Sequence, residues 1–152
     1  MIQIKWQWLP YEEMTKFELY ASMVLRQEVF VVEQNCPYLD ADGLDQHSWH
    51  LLGWSTATPS KLLAYTRVVE SGKKYPEISI GRVATHPIAR GTGIGRALMS
   101  TTLEKIEKQL APQPIRISAQ EYLLSFYRSY GFQPVSDIYM EDDIPHVEML
   151  RP

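Results

Sequence analysis

The sequence predicts an α/β (α+β) fold in which a mixed sheet carries helices on its faces. Three observations lead there. Stretches with a two-residue hydrophobic period alternate with stretches of helical period, in the order β, α, β, β, β, α, β, α, β, β. The 152 residues are 45% hydrophobic and 22% charged, a size and balance that suit one domain with a proper core and exclude wholesale disorder. The single cysteine, Cys36, excludes an internal disulfide, so the core must hold without staples, and a small buried thiol is expected there.

The elements follow in order. Ile2, Ile4, Trp6 and Trp8 alternate with Gln3, Lys5 and Gln7, which predicts a half-buried strand ended by Leu9-Pro10. Thr15 and Glu18 fit a capping box, and Phe17, Tyr20, Met23, Val24 and Gln27 follow at helical spacing. The run Val29–Val32 reads as helix passing into loop, and residues 35–48 as a long loop rich in Pro, Asp and Gly. His50–Trp54 and Leu62–Val69 form a predicted hairpin, and Ile78–Thr85 a further strand. Ile94, Ala97, Leu98, Ile106 and Leu110 mark a long helix stopped by Pro112 and Pro114. Ile115–Ala119 is a short strand. Tyr122, Leu123, Phe126, Tyr127 and Tyr130 share one helical face, with Gly131 placed to end it. One or two more strands are expected around Phe132–Tyr139 and His146–Leu150. Trp6, Trp8, Trp49 and Trp54 are read as core or dimer contacts.

Charge narrows the function. A net charge of −3 argues against nucleic-acid binding. No apolar run approaches the roughly 20 residues of a membrane helix, and Met-Ile-Gln-Ile-Lys-Trp does not resemble a signal peptide, so a cytoplasmic location is expected. The charge is uneven. Ile78 to Leu103 contains no Asp or Glu but holds Arg82, Arg90 and Arg96. Acids gather instead at Asp40, Asp42 and Asp45 and at Glu141, Asp142 and Asp143. That pattern suits a molecule receiving an anion at one place and a cation at another.

The anion site is read at Arg90-Gly91-Thr92-Gly93-Ile94-Gly95-Arg96, which joins a strand to a helix. Glycines let the backbone turn tightly and approach a ligand, and the first helical turn offers unpaired N–H groups at the positive end of a dipole. A nucleotide P-loop would need Lys and then Ser or Thr after the last glycine; Arg96-Ala97 stands there. A dinucleotide fingerprint would space its third glycine one residue later and follow the first strand. Other sites are set aside. Placing Gly43 at the sixth position of a calcium loop puts Tyr38 and Trp49 where carboxylates are required. His47, His50 and Asp45 lack a fourth partner for a metal, so none is expected.

The pattern Arg90-x-x-Gly93-x-Gly95 resembles the coenzyme A pyrophosphate loop of the GNAT superfamily of N-acetyltransferases. Gly81–Pro87 looks like that family's fourth strand, Ile115–Gln120 like its fifth, and Phe126-Tyr127-Arg-Ser-Tyr-Gly131-Phe132 like the end of the helix after it. Val29–Tyr38, Asp40-x-Asp42-Gly43, Gly81-Arg82-Val83 and Glu141-Asp142-x-Ile144-Pro145-His146 look like the ElaA-like branch. One departure is Gln120, where the wider family often has Asn.

The resemblance implies one GNAT domain over residues 1–152, with a splayed mixed sheet of six to seven strands and about four helices. Acetyl-CoA would be the cosubstrate, lying between the fourth and fifth strands. Backbone groups of Val83, Ala84 and Thr85 would meet the pantetheine; Arg90, Gly91, Thr92, Gly93, Ile94, Gly95 and Arg96 would hold the pyrophosphate; Gln120 and Phe126 would complete the cofactor wall. Transfer would be direct, without metal or covalent enzyme intermediate. Tyr127 occupies the family's position for the acid that serves the leaving thiol. A lysine-like amine is only about one part in 10³ neutral at pH 7, so a base is needed, and Glu33, His146 and His50 are the candidates. The acidic loops suggest a cationic acceptor: a polyamine, aminoglycoside, lysine or peptide amine. A β-rich tail could pair across a homodimer. The competing readings are a non-catalytic acyl-CoA-binding or sensor module and an interaction protein that keeps only the fold.

Overall fold

The computed structural model describes all residues, 1–152. β1 (Ile4–Pro10), β2 (Ser48–Ser55), β3 (Leu62–Val69) and β4 (Ile78–Thr85) form an antiparallel meander. β1 runs on through Leu9 and Pro10 to pair with His50 and Trp49, rather than stopping there. It is an edge strand, where a residue without an N–H is tolerated. Trp8 stacks on Trp49 across this pair, with ring centroids 6.4 Å apart. β4 lies parallel to β5 (Ile115–Gln120), which pairs antiparallel with β8 (Ile144–Arg151). The far edge of β8 carries β6 (Gln133–Pro134) and β7 (Tyr139–Glu141).

The sheet therefore has eight strands, against an expected six to seven, and three α-helices against about four. β6 and β7 have two and three residues, too few to show a period. The helical face read from Tyr122 to Tyr130 resolves into a 3₁₀ turn, Glu121–Leu123, and a single α-helical segment, α3 (Leu124–Arg128). Gly131 closes it in the left-handed region at φ +91, and its N–H donates to Arg128 O.

α1 (Lys16–Gln27) begins at the predicted capping box: the Glu18 N–H donates to Thr15 Oγ1 and the Thr15 N–H to Glu18 Oε1. It passes through a π-helical turn, Glu28–Glu33, into the long loop. α2 (Ile94–Lys105) ends in a second π-helical turn, Ile106–Leu110, before Pro112. The two long helices lie on opposite faces of the meander. Leu25 and Val29 from the α1 side pack on Leu52, Leu62, Tyr65 and Ala84. Ile94 and Leu98 of α2 pack on Leu51, Leu63 and Ala64. Covered on both sides, every residue of β3 is buried.

Two features of β4 shape the site. It pairs with β5 only through Ile78–Ile115 and Ser79–Arg116, and beyond those pairs the strands have no ladder between them. Against β3, Tyr65 faces Ala84 and Arg67 faces Gly81, so Arg82 and Val83 form a bulge without ladder partners. Arg82 takes φ +50, a strained value for a residue with a Cβ.

Candidate active site

Where β4 and β5 part, a cleft of about 450 Å³ opens, walled by α1's π-helical turn, β4, β5, α3 and the β7–β8 hairpin. Of the residues expected to bind cofactor, it collects Val83, Thr85, Arg90, Gly95, Gln120 and Phe126; of the catalytic candidates, Glu33, Tyr127 and His146.

The loop entering α2 is built as an anion cradle. Gly91 and Gly93 take φ +74 and +85, which an L side chain resists. A Cβ added at Gly91, Gly93 or Gly95 would meet open space, so bare backbone faces outward there. Thr92 Oγ1 donates to Ala89 O and pins the turn. Ile94 is buried against Leu51 and Leu63, so it contributes only backbone. Arg96 lies over the Phe126 ring, 5.8 Å from its centroid, and keeps its charge beside the cradle. The first-turn N–H groups of α2 with Arg90 and Arg96 fit a diphosphate. Ala84, by contrast, is buried among Leu25, Val29 and Tyr65, so only its main chain is available to a ligand.

The base candidates separate. Glu33 does not stand free: Arg90 Nη2 donates to its Oε1 at 2.7 Å and also to Thr85 O at 3.0 Å. Hydrogen bonds from Arg90 hold the Glu33 carboxyl below its ordinary pKa, which makes it a poorer proton acceptor and an orienting partner of Arg90. His50 is fully buried, away from the cleft. One ring nitrogen meets Tyr65 Oη at 2.6 Å and the other meets Asp45 O at 3.0 Å, so both are occupied. His146 lines the cleft opposite Gln120 in the β5–β8 register. Its Nδ1 lies 2.7 Å from Ile144 O, an acceptor only, so Nδ1 carries the hydrogen and Nε2 the lone pair. Nε2 is 3.3 Å from Glu141 Oε2, where an accepted proton finds a carboxylate.

Tyr127 is 6% exposed and held edge-on between Phe126 and Phe132. Burial pushes its hydroxyl pKa far above the usual tyrosine value, and no hydrogen bond within the chain offsets it. It therefore stays protonated across the neutral range.

The loop acids at residues 40–45 are not a free cationic-acceptor surface. Asp40 forms ion pairs with Arg26 and Arg82, its carboxylate oxygens lying 2.9 Å from each Nε, and its carbonyl oxygen accepts from Arg26 Nη2 and Arg82 Nη2. Asp45 accepts Arg26 Nη1 at 2.9 Å and Arg67 Nη1 at 3.0 Å, and Asp42 accepts Arg67 Nη1 and Nη2, both at 2.8 Å. Burial raises the Asp42 pKa, but the Arg67 contacts outweigh it and bring it to about 2. Six charges cancel beneath the cleft, and they fix Arg82 at the bulge, with its guanidinium over the Tyr38 ring. These pairs join residues far apart in the chain, so nothing in local spacing announces them. Motif and charge patterns carry no signal for Tyr38, Lys74 and Ser118 as cleft residues. Gly81, a glycine inside a strand pattern, was the available signal for the bulge.

No helix is long and apolar enough to cross a membrane, and no group of three His, Cys, Asp or Glu is placed to hold a metal. Residues 47–151 match the family model for an acetyltransferase (GNAT) domain. Protein ElaA of Escherichia coli K12 is 43% identical over 150 residues, covering 97% of this chain and 96% of its own. A UPF0039 protein of Schizosaccharomyces pombe is 41% identical over 133 residues, covering 87% of this chain and 86% of its own. Among solved structures, an acyl-CoA N-acyltransferase from Pseudomonas aeruginosa superposes with a TM-score of 0.92 at 41% identity, covering 99% of this chain and all of that one. Escherichia coli ElaA gives 0.90 at 42%, with the same coverage. With a glycine loop of outward-facing backbone leading into α2, a splayed sheet, and relatives alike along nearly their whole length, this chain belongs to the GNAT acyltransferase family, whose cosubstrate is acetyl-CoA.

Proposed function

We propose that the chain transfers an acetyl group from acetyl-CoA to the nitrogen of an amine by direct attack in a ternary complex. Acetyl-CoA supplies the acyl carbon already activated as a thioester. The observation that carries the reading is that Tyr127, His146 and the bulge at Val83 line the same cleft as the anion cradle.

Each residue has a task. The α2 N-terminus with Arg90 and Arg96 holds the diphosphate, and Glu33 orients Arg90. A main-chain N–H at the Val83 bulge is assigned as the donor for negative charge developing on the carbonyl oxygen. His146 Nε2 takes the proton from the ammonium of the acceptor, directly or through water, and Glu141 stabilises the imidazolium. The amine nitrogen then bonds to the carbonyl carbon, the carbon–sulfur bond breaks, and the second proton of the nitrogen passes to solvent. Tyr127 donates a hydrogen bond to the departing sulfur. Its raised pKa makes it a donor that keeps its own proton, with solvent delivering the proton that completes the thiol.

Calorimetric titration with acetyl-CoA, followed by thiol-release assays with an amine panel, tests the proposal. Binding together with amine-dependent thiol release is expected. Binding with no release by any amine would favour a non-catalytic acyl-CoA-binding module.

A further inference from the structure

We propose that the acceptor carries a carboxylate beside its amine, so that the substrate class is a free amino acid, anchored by Arg82 and Lys74. The inference rests on the transferase reading above. It begins from the cancelled charge of the 40–45 loop: with Asp40, Asp42 and Asp45 all paired to arginines, that loop offers no spare negative charge to draw in a polyamine.

Three cations line the cleft: Lys74, Arg82 and Arg90. Arg90 is engaged with Glu33 and Thr85 at the cofactor end. Arg82 and Lys74 differ. Arg82 donates from Nη2 to Asp40 O and Asp42 Oδ2 and sets Nε beside the Asp40 carboxylate as an ion pair, which holds the guanidinium in place, and Nη1 is left without a partner in the chain. Lys74 forms no ion pair; its ammonium rests 5.5 Å from the centroid of the Tyr75 ring. Lys74 is exposed as a residue, yet burial of its ammonium lowers its pKa beyond what the neighbouring Glu141 offsets, and a bound anion would add to that relief.

Their placement fits an acceptor. Lys74 lies in the β3–β4 turn, before the first residue of β4, whereas the diphosphate cradle follows the last residue of that strand. The two sites therefore sit at opposite ends of β4, with Arg82 and Val83 at the bulge between them. Across the cleft stand Glu141, Asp142 and His146, on the β7–β8 hairpin. Cations on the β4 wall and an acid with a base on the opposing wall match a zwitterion, with carboxylate toward Lys74 and Arg82 and amine toward His146. A rigid guanidinium with one open edge suits a carboxylate better than a mobile ammonium alone would.

Matched acceptors differing only in the α-carboxylate test this: phenylalanine against phenethylamine, and histidine against histamine, followed by thiol release. The amino acids are expected to exceed their amines in kcat/KM by about tenfold or more. Lys74→Met should shrink that ratio toward one through the acceptor KM, and Lys74→Arg should restore it. Equal or better turnover of the amines, or a Lys74→Met loss that falls on both members of each pair alike, overturns the inference and leaves the transferase reading standing. A second measurement separates the two readings. N-Acetylphenylalanine and N-acetylphenethylamine are titrated into the protein saturated with CoA. Preferential binding of the carboxylate compound supports the inference even if no acceptor turns over, in which case the transferase reading fails alone. Equal binding overturns the inference.

Discussion

Replacing Tyr127 with phenylalanine removes one oxygen and little else. The ring is held by Phe126 and Phe132, at centroid distances of 5.2 and 6.0 Å, and those contacts do not involve the hydroxyl. The hydroxyl lines the cleft with no bond inside the chain, so its loss leaves no partner stranded. Folding should be unaffected, with Tm at or slightly above that of the parent. Catalysis should not be spared. A hydrogen bond to a charged group contributes about 1.5–3 kcal/mol, which converts to a fall in kcat of about 10- to 150-fold. The sulfur gains charge only as its bond breaks, so KM for acetyl-CoA should hardly move. Because burial keeps Tyr127 protonated, the loss should be equal from about pH 6 to about pH 9. Thiol release under saturating acetyl-CoA measures it. An unchanged kcat across that range would refute the role given to Tyr127.

Other perturbations have equally definite expectations. His146→Gln should lower kcat by about 10²-fold or more, whereas Glu33→Gln should act mainly on KM for acetyl-CoA through Arg90; the reverse pattern in stopped assays would make Glu33 the base. Arg90→Glu should raise KM for acetyl-CoA about tenfold or more, read by titration, because it places a carboxylate beside Glu33 and the phosphates. Asp45→Asn breaks a buried ion pair on both Arg26 and Arg67 and should cost about 3–5 kcal/mol in urea unfolding; a cost below about 1 kcal/mol would mean the network is idle. Asp42, lowered from 3.8 to about 2, and Asp45, also lowered, stabilise the fold above their ordinary values, and that stability should drain away as pH falls from about 4 toward 2, seen in thermal melts. Gly93→Ala, at φ +85, should destabilise by about 1–2 kcal/mol and weaken CoA binding in the same titration.

What the residues disclosed depended on range. β3 and β4 were legible because eight-residue stretches rich in aliphatic and β-branched residues stand between turn-forming residues, and α1 because Thr15 and Glu18 cap each other three positions apart. The tight turn into α2 was legible because its glycines are contiguous, and Gly91 and Gly93 take positive φ there. Interactions set by the fold were not. Glu33 looked like a free base because Arg90, which binds it, lies 57 residues away. Asp40 and Asp42 looked like a receptive acidic loop because Arg67 and Arg82 belong to strands that meet them only in three dimensions. His50 and His146 are alike in sequence, each within a strand; only packing distinguishes a ring with both nitrogens occupied from one with a lone pair facing the cleft.

The two-rung seam between β4 and β5 has a mechanical consequence. The meander and the β5–β8 unit share so few main-chain bonds that the seam is the natural place for the molecule to breathe. A molecule lodged in the gap touches both halves and stitches them together. Amide hydrogens at Ile78, Ser79, Ile115 and Arg116 should then exchange more slowly once the cleft is filled, although none of them need touch the guest.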